Sequence, residues 1–458
     1  FVTVGFAFYL LTFPELGHRP GLIFTFVLIA DLCALALVVL ETKLFPANLA
    51  AGGLAFLFLT IWTMEFLSAP LLNWALGFYL LFAILHSIFP IVLQRLRPGI
   101  TPTWWAHLFP PVALLLVMVP ILKLSELSFF IWPCVLLIDL LAIGLAVMTA
   151  SLLSIVAVLL LTLAATALWI FKIPAELTGL PMSLFLIGGF AIFFFIVAIF
   201  ATRKILAKSS APPIDGNANA PAFLNLSMSP DALAQLPAFS ALLPFLLLIM
   251  VTLRLPLQNP SPIFGLALLL IVLVLGVARA FRHDWLPAVG LAATLALEYA
   301  WHYRHLHAEQ PLIPLGWYLS CAAIFGDFPF LFRERFAERI PVWAAAALAA
   351  PLHFYLVHRL VSGAYPNQFM GLLPAAFAIP SLAALIFLLR KVPATSPIKT
   401  AQLAWFGGVA LFFITLIFPI QFDRQWITIG WALEGAALLW LFHRVPHPGL
   451  RLTGVALL

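Results

Sequence analysis

Charge is what this sequence has least of. Asp, Glu, Lys and Arg make up 9% of its 458 residues, where a soluble domain carries about 25%. So little polar surface excludes a soluble globule, and lipid is the expected solvent for most of the chain. Cysteine is also scarce. Cys33, Cys134 and Cys321 are scattered and odd in number, which excludes a disulfide framework and a zinc knuckle and leaves buried structural thiols. No basic arm and no basic cluster interleaved with aromatics occurs, so the net charge of +6 does not point to nucleic acid. GxxxxGK[ST], a GxGxxG after a strand, GxSxG, HExxH and DFG are missing as well, which removes the usual grounds for a nucleotide site, a serine hydrolase, a zincin or a kinase. No cofactor is implied. The chain opens at Phe1 and stops at Leu458, each inside an apolar run, as expected of a segment cut from a longer protein.

What is abundant is hydrocarbon. Hydrophobic residues reach 64%, with 43 Phe and 36 Pro. A spanning helix needs about 20 apolar residues, and sixteen stretches qualify: 1–13, 20–40, 46–66, 70–93, 104–123, 127–147, 148–171, 181–202, 236–256, 260–280, 284–303, 312–333, 341–361, 371–390, 401–421 and 426–443. The expected fold is all-α, a polytopic transmembrane helical bundle of about 16 membrane helices with short loops. The 23 Lys and Arg test this division. Sixteen fall in one alternate set of loops (Lys43, Arg95, Arg97, Arg203, Lys204, Lys208, Arg279, Arg282, Arg333, Arg335, Arg339, Arg390, Lys391, Lys399, Arg444, Arg451) and seven in the other. Basic loops stay in the cytoplasm, so the first set is assigned there and Asp423–Arg424 outside.

One long polar stretch interrupts the pattern. Residues 203–235, including SSAPPIDGNANAP, read as a cytoplasmic linker between membrane halves 1–202 and 236–458. Ser229-Pro230-Asp231 has the form of a helix start, so a short interfacial helix is expected at 230–235. Each half would hold eight helices and begin from the cytoplasm, a parity that permits a parallel internal repeat. Pro46, Pro70, Pro181 and Pro341 fall at helix starts. Pro110, Pro111, Pro120, Pro133, Pro244, Pro351 and Pro380 fall inside the expected helices, where each would free a carbonyl and kink the helix, or break it to line a cavity.

Ionisable residues at bilayer depth are costly and mark candidate functional sites. The acids are Asp31, Asp139, Glu298, Asp327 and Glu434, with His86, His107 and His353 at comparable depth. Low dielectric disfavours a charged carboxylate, so such an acid can be neutral and bond a backbone carbonyl between packed helices, or it can form part of a proton or cation path. Glu434 lies eight residues beyond Trp426, about 12 Å into the bilayer. Gly430 and Ala437 share its face, and small residues permit close helix approach, so Glu434 is expected to face protein. Asp423, His302, His305 and His307 form an outer-edge group. On a continuous helix only His302 and His305 share a face, and an amphipathic helix end is expected rather than a metal site. GDFPFLFRERFAERIP (326–341) reads as a cytoplasmic interfacial turn held by local ion pairs and lipid phosphate.

The run FPIQFDRQWITIGWALEGAALLWL (418–441) resembles DUF2339, a domain of unknown function in bacterial membrane proteins. Asp423, Trp426, Trp431, Ala432, Leu433, Glu434 and Gly435 match its pattern. Arg424 and Phe442 stand where that pattern has Gly. The resemblance implies a multi-pass protein of the bacterial inner membrane and carries no reaction with it. Three readings follow: transport or handling of a lipid or envelope precursor, with membrane lipids and membrane proteins as partners; a non-catalytic scaffold subunit; and a transferase acting on an envelope lipid at the outer face through Asp423, Glu298 and the histidines. Cysteines placed at Ser209 and Gln425 are expected to react with an impermeant thiol reagent from opposite sides of the membrane. Reaction of both from one side would reverse the assignment.

Overall fold

Helices start where proline removes an N–H that the first turn cannot use. The computed structural model describes residues 2–97, 105–125, 128–149, 153–209, 230–306, 310–365, 369–393, 396–422, 424–444 and 448–458. Ser229, His307, Asp423 and most of the 203–235 linker lie outside them. In chain order the helices are α1 Val2–Leu10, α2 Pro14–Gly17, α3 Pro20–Leu40, α4 Ala47–Phe66, α5 Leu72–Leu96, α6 Phe109–Lys123, α7 Ile131–Thr149, α8 Leu153–Lys172, α9 Leu180–Ser209, α10 Pro230–Leu242, α11 Pro244–Arg254, α12 Ser261–Phe281, α13 Leu286–His305, α14 Leu312–Leu331, α15 Ile340–Ala364, α16 Leu372–Lys391, α17 Lys399–Gln421, α18 Arg424–Arg444 and α19 Pro448–Leu457. No strand occurs among the described residues.

Thirteen segments are long and apolar enough to cross a membrane among the described residues. The three further spans expected from sequence have visible reasons for falling short. The first is broken, because α1 ends at Leu10 and α2 starts at Pro14. In α13 the stretch from Glu298 to His305 is polar, and α18 carries Arg424, Glu434 and Arg444. Both are nonetheless of spanning length, at 20 and 21 residues. Large apolar side chains point outward all along the chain, Leu40 at 80% and Leu331 at 74% exposure, an outside suited to hydrocarbon and not to water.

Several prolines act differently from expectation. Helix α6 begins at Phe109 and α7 at Ile131, so Pro110, Pro111 and Pro133 sit in first turns, and Pro244 opens α11. No carbonyl is freed there. Pro120, Pro351 and Pro380 do lie inside their helices. The short helix expected at 230–235 is instead α10, which runs on to Leu242. It stops there because Pro244 cannot donate and its ring collides with the carbonyl four residues back. At three other helix ends a lysine acts as a cap. Lys123 donates to Met64 O at 2.6 Å, Lys172 to Leu122 O at 2.6 Å and Lys399 to Val392 O at 2.7 Å. These carbonyls lack intrahelical partners, and the helix dipole favours a cation beside them.

The chain forms two compact units, Phe1–Pro174 with Phe185–Leu247, and Ala175–Leu184 with Leu248–Leu458. In unit 1, α3 packs on α4 and α5, and α6 on α7 and α8. Phe24 anchors the first group, its ring 4.9 Å from Trp62 and 4.6 Å from Phe78. In unit 2, α13 packs on α12 and α15, α14 on α15, α15 on α17 and α16 on α17, around Trp343, Phe354, Phe406 and Phe413.

Close approach of α4 to its neighbours depends on Gly52. A Cβ there would lie 2.4 Å from the Phe109 ring and 2.9 Å from His86, whereas one on Gly53 meets nothing within 4 Å. Gly52→Ala is expected to destabilise by about 1–3 kcal/mol and Gly53→Ala to stabilise by about 0.5–1 kcal/mol. Opposite shifts in thermal midpoint in one detergent check the pair.

Candidate functional site

Every intramembrane acid named from sequence, Asp327 excepted, meets a polar group from another helix. In unit 1, Asp31 of α3 lies 2.6 Å from His86 Nε2 of α5. The other ring nitrogen, Nδ1, is 3.1 Å from Asn48 Oδ1 of α4, and Asn48 Nδ2 donates to His86 O at 3.5 Å. Asp31, Asn48 and His86 are at most 1% exposed. The imidazole is held between Phe82 and Phe109, with ring centroids 6.3 and 5.2 Å away. Asp139 of α7 is fully buried and accepts from Thr162 of α8 at 2.9 and 3.0 Å. His107 links Thr149 and Ser154 at 3.0 and 2.8 Å, tying the end of α7 to the start of α8.

Unit 2 contains a second acid–imidazole pair. Glu298 Oε2 of α13 lies 3.0 Å from His353 Nε2 of α15, in ion-pair contact but out of line for a good hydrogen bond. His353 Nδ1 is 2.7 Å from Ala349 O. Cys321 of α14 faces the same carboxylate. The outer-edge histidines do not converge. His302 Nδ1 is 3.2 Å from the Tyr318 hydroxyl, while His305 Nε2 is 2.6 Å from Thr252 O. His307 and Asp423 lie outside the described residues. Glu434 of α18 is half-buried and accepts from Thr415 of α17 at 2.5 Å, and Trp431 Nε1 donates to Thr415 O at 3.4 Å. Gly430 allows this approach, since a Cβ there would strike Phe418 at 2.3 Å. Ala437, expected on the same face, is exposed instead.

Asp327 is different. It is exposed and lines a slot of about 750 Å³ between α14, α15 and α16. The walls are otherwise almost wholly apolar and rich in small residues, among them Ala323, Ala346, Ala350 and Pro380. Phe330 and Phe387 line this slot and also a second cavity of about 1030 Å³. That vestibule holds Arg279, Arg282, Arg333, Arg335 and Lys391 against one acid, Glu334. The expected local ion pairs of the 326–341 turn are replaced by contacts to other elements. Arg339 pairs with Asp284 at 2.8 Å, Arg335 donates to Arg279 O and Ala280 O at 3.0 and 3.2 Å, and the Arg279 guanidinium lies 4.2 Å above the Phe332 ring. These contacts, with Arg333 donating to Lys391 O at 3.5 Å, bring the basic ends of α12, α14 and α16 together.

Asn48, Thr162, Thr415 and the convergence of Arg279 and Lys391 on the turn had no local signal. Thr and Asn are ordinary in membrane helices, and the basic residues are spread over more than a hundred positions. The family model for DUF2339, described as a predicted membrane protein, matches residues 232–458. No curated protein and no solved structure matches the chain.

Removing the Thr415 hydroxyl orphans a carboxyl oxygen. Thr415→Val is therefore expected to cost about 1–3 kcal/mol, whereas Glu434→Gln keeps an acceptor and folds like the parent. Thermal midpoints of the two variants check this. Equal loss in both would remove Thr415 as the partner that matters.

Proposed function

We propose, for a chain that belongs through residues 232–458 to the predicted membrane proteins of DUF2339, that unit 2 binds an anionic phospholipid and that lipid handling is its activity. The observation that carries this reading is that Phe330 and Phe387 line both the apolar slot and the basic vestibule. An acyl chain gains little by moving from bilayer to slot, because the two are equally apolar. Selectivity must come from the head. Five cations around one acid favour a phosphate, at about 1 kcal/mol for each basic residue near the membrane surface. By the basic-loop rule this vestibule opens on the cytoplasmic side. Asp327 lies one helical turn inward from the end of α14 at Leu331. There it repels a second anionic group and accepts from a lipid hydroxyl.

Backbone strain at the rim supports the reading. Arg282, the C-cap of α12, has φ 59°, the one positive-φ residue other than Gly among those described. Glycine is the usual residue for this conformation, and an Arg there costs about 1–2 kcal/mol. Strain of this kind persists where function holds it. The outer-face transferase reading has weaker support, since Glu298, His302 and His305 are each turned to a different partner.

Native mass spectrometry of protein extracted from vesicles of equal phosphatidylglycerol and phosphatidylcholine tests the proposal. Retention of phosphatidylglycerol is expected to exceed that of phosphatidylcholine about tenfold, equivalent to about 1.4 kcal/mol. Ala323→Phe, at an exposed wall position of the slot, and Arg333→Gln should each abolish the preference. Arg282→Gly should raise the thermal midpoint while weakening lipid retention. Equal retention of the two lipids by the parent protein would overturn the assignment.

A further inference from the structure

The two buried acid–imidazole pairs have the same spacing. Asp31 precedes His86 by 55 residues, and Glu298 precedes His353 by 55. The shift that carries one pair onto the other is 267 residues. Applied to the helices, that shift brings the starts of α3, α4, α5, α6, α7 and α8 within four residues of the starts of α13, α14, α15, α16, α17 and α18. It places Pro20, which opens α3, on Pro287 in the first turn of α13. It places Ala83-Ile84-Leu85-His86 on Ala350-Pro351-Leu352-His353.

Packing follows the same register for the helices that carry the two pairs, while the contacts of α6 with α4 and α8 have no comparable counterpart at α16. Neighbours in sequence pack as expected of any bundle, so contacts that skip a helix are the informative ones. α3 touches α5, and α13 touches α15. α5 touches α7, and α15 touches α17. α1 packs on both α3 and α4, and α12 on both α13 and α14. The pairs differ in their α4-type neighbour, Asn48 in unit 1 and Leu315 at the shifted position in unit 2.

The hydrogen bonds then count protons. Asn48 Nδ2 is committed to His86 O, so Asn48 presents its oxygen to His86 Nδ1. A carbonyl only accepts, so His353 Nδ1 carries a hydrogen for Ala349 O. In both rings Nδ1 is thus the donor, and the neutral tautomer would turn the bare Nε2 lone pair toward a carboxylate. One further proton must be held by Nε2 or by the carboxyl group in each pair. Without it, a buried carboxylate would face a second acceptor with no compensating charge, which is strongly unfavourable. With it, each pair is neutral overall. The other titratable groups near Glu298 are Cys321 and Tyr318 of α14 and Tyr299 of α13.

The geometry points to one helical unit present twice in this chain, with Asp31–His86 and Glu298–His353 as two copies of a single proton-binding site. This goes beyond the lipid slot, which uses none of these four residues. The family match covers the second copy, and the first has diverged from it.

Nitrogen-15 NMR of the full chain, labelled at histidine and reconstituted in phosphatidylglycerol vesicles, tests the inference. His86→Gln and His353→Gln assign the two rings. If either variant fails to fold, carbon–nitrogen dipolar coupling to labelled Asp and Glu carboxyls assigns them in the unmutated protein. At neutral pH both rings are expected to show a protonated Nδ1. Asp31→Asn and Glu298→Gln should each remove one proton, only from the partnered site. Asp31→Glu and Glu298→Asp should keep it, because the acids are equivalent. An unprotonated Nδ1 in either ring would overturn the proton count, and a response at only one of the two sites would overturn their equivalence.

Discussion

A carboxylate cannot be left alone in a medium without water, and much of the helix packing here answers to that constraint. An unpaired buried charge is far more expensive than any single apolar contact can offset. Four acids are met across a helix interface, each by a donor or an imidazole: Asp31 by His86, Asp139 by Thr162, Glu298 by His353 and Glu434 by Thr415. Each pairing ties two particular helices in one rotation, α3 to α5, α7 to α8, α13 to α15 and α17 to α18. In lipid, apolar surface alone does little to choose among helix faces, because the tails are as apolar as the side chains. The polar pairs supply much of the choice that hydrophobic burial supplies in water.

The same constraint explains why Asp327 stands apart. It is the one acid lining the apolar slot, one turn from the end of α14, and Phe330 and Phe387 of that slot also line the basic vestibule. Small residues on α14, α15 and α16 leave the slot open, while Phe330 and Phe387 mark where hydrocarbon gives way to charge. Fold and proposed activity meet at this point. Arg339 holds Asp284, Arg335 holds the end of α12 and Arg333 donates to Lys391 O, so some of the basic residues are structural, and Arg282 and Lys391 line the vestibule beside them.

Lysine contributes in two ways. With arginine it is biased toward one alternate set of loops, and in three places its ammonium also satisfies carbonyls at the end of a neighbouring helix. A charge near the interface suits both roles, because the dipole end of a helix and the polar edge of the bilayer coincide.

Composition determined that this chain is an all-helical membrane protein, since 9% charge cannot solvate a surface. Proline and charge placed most helix boundaries to within a few residues, and bilayer depth singled out Asp31, Asp139, Glu298, Asp327 and Glu434. The run around Glu434 carried the family. Only the tertiary structure decided which acid meets which partner, which prolines sit in first turns, and that the basic ends of α12, α14 and α16 share one vestibule. The reason lies in the helices themselves. They are apolar on nearly every face, so no 3.6-residue stripe records which side turns inward. Rotation is set by partners tens of residues away, and a pairing such as Asp31 with His86 becomes visible only once the helices are packed.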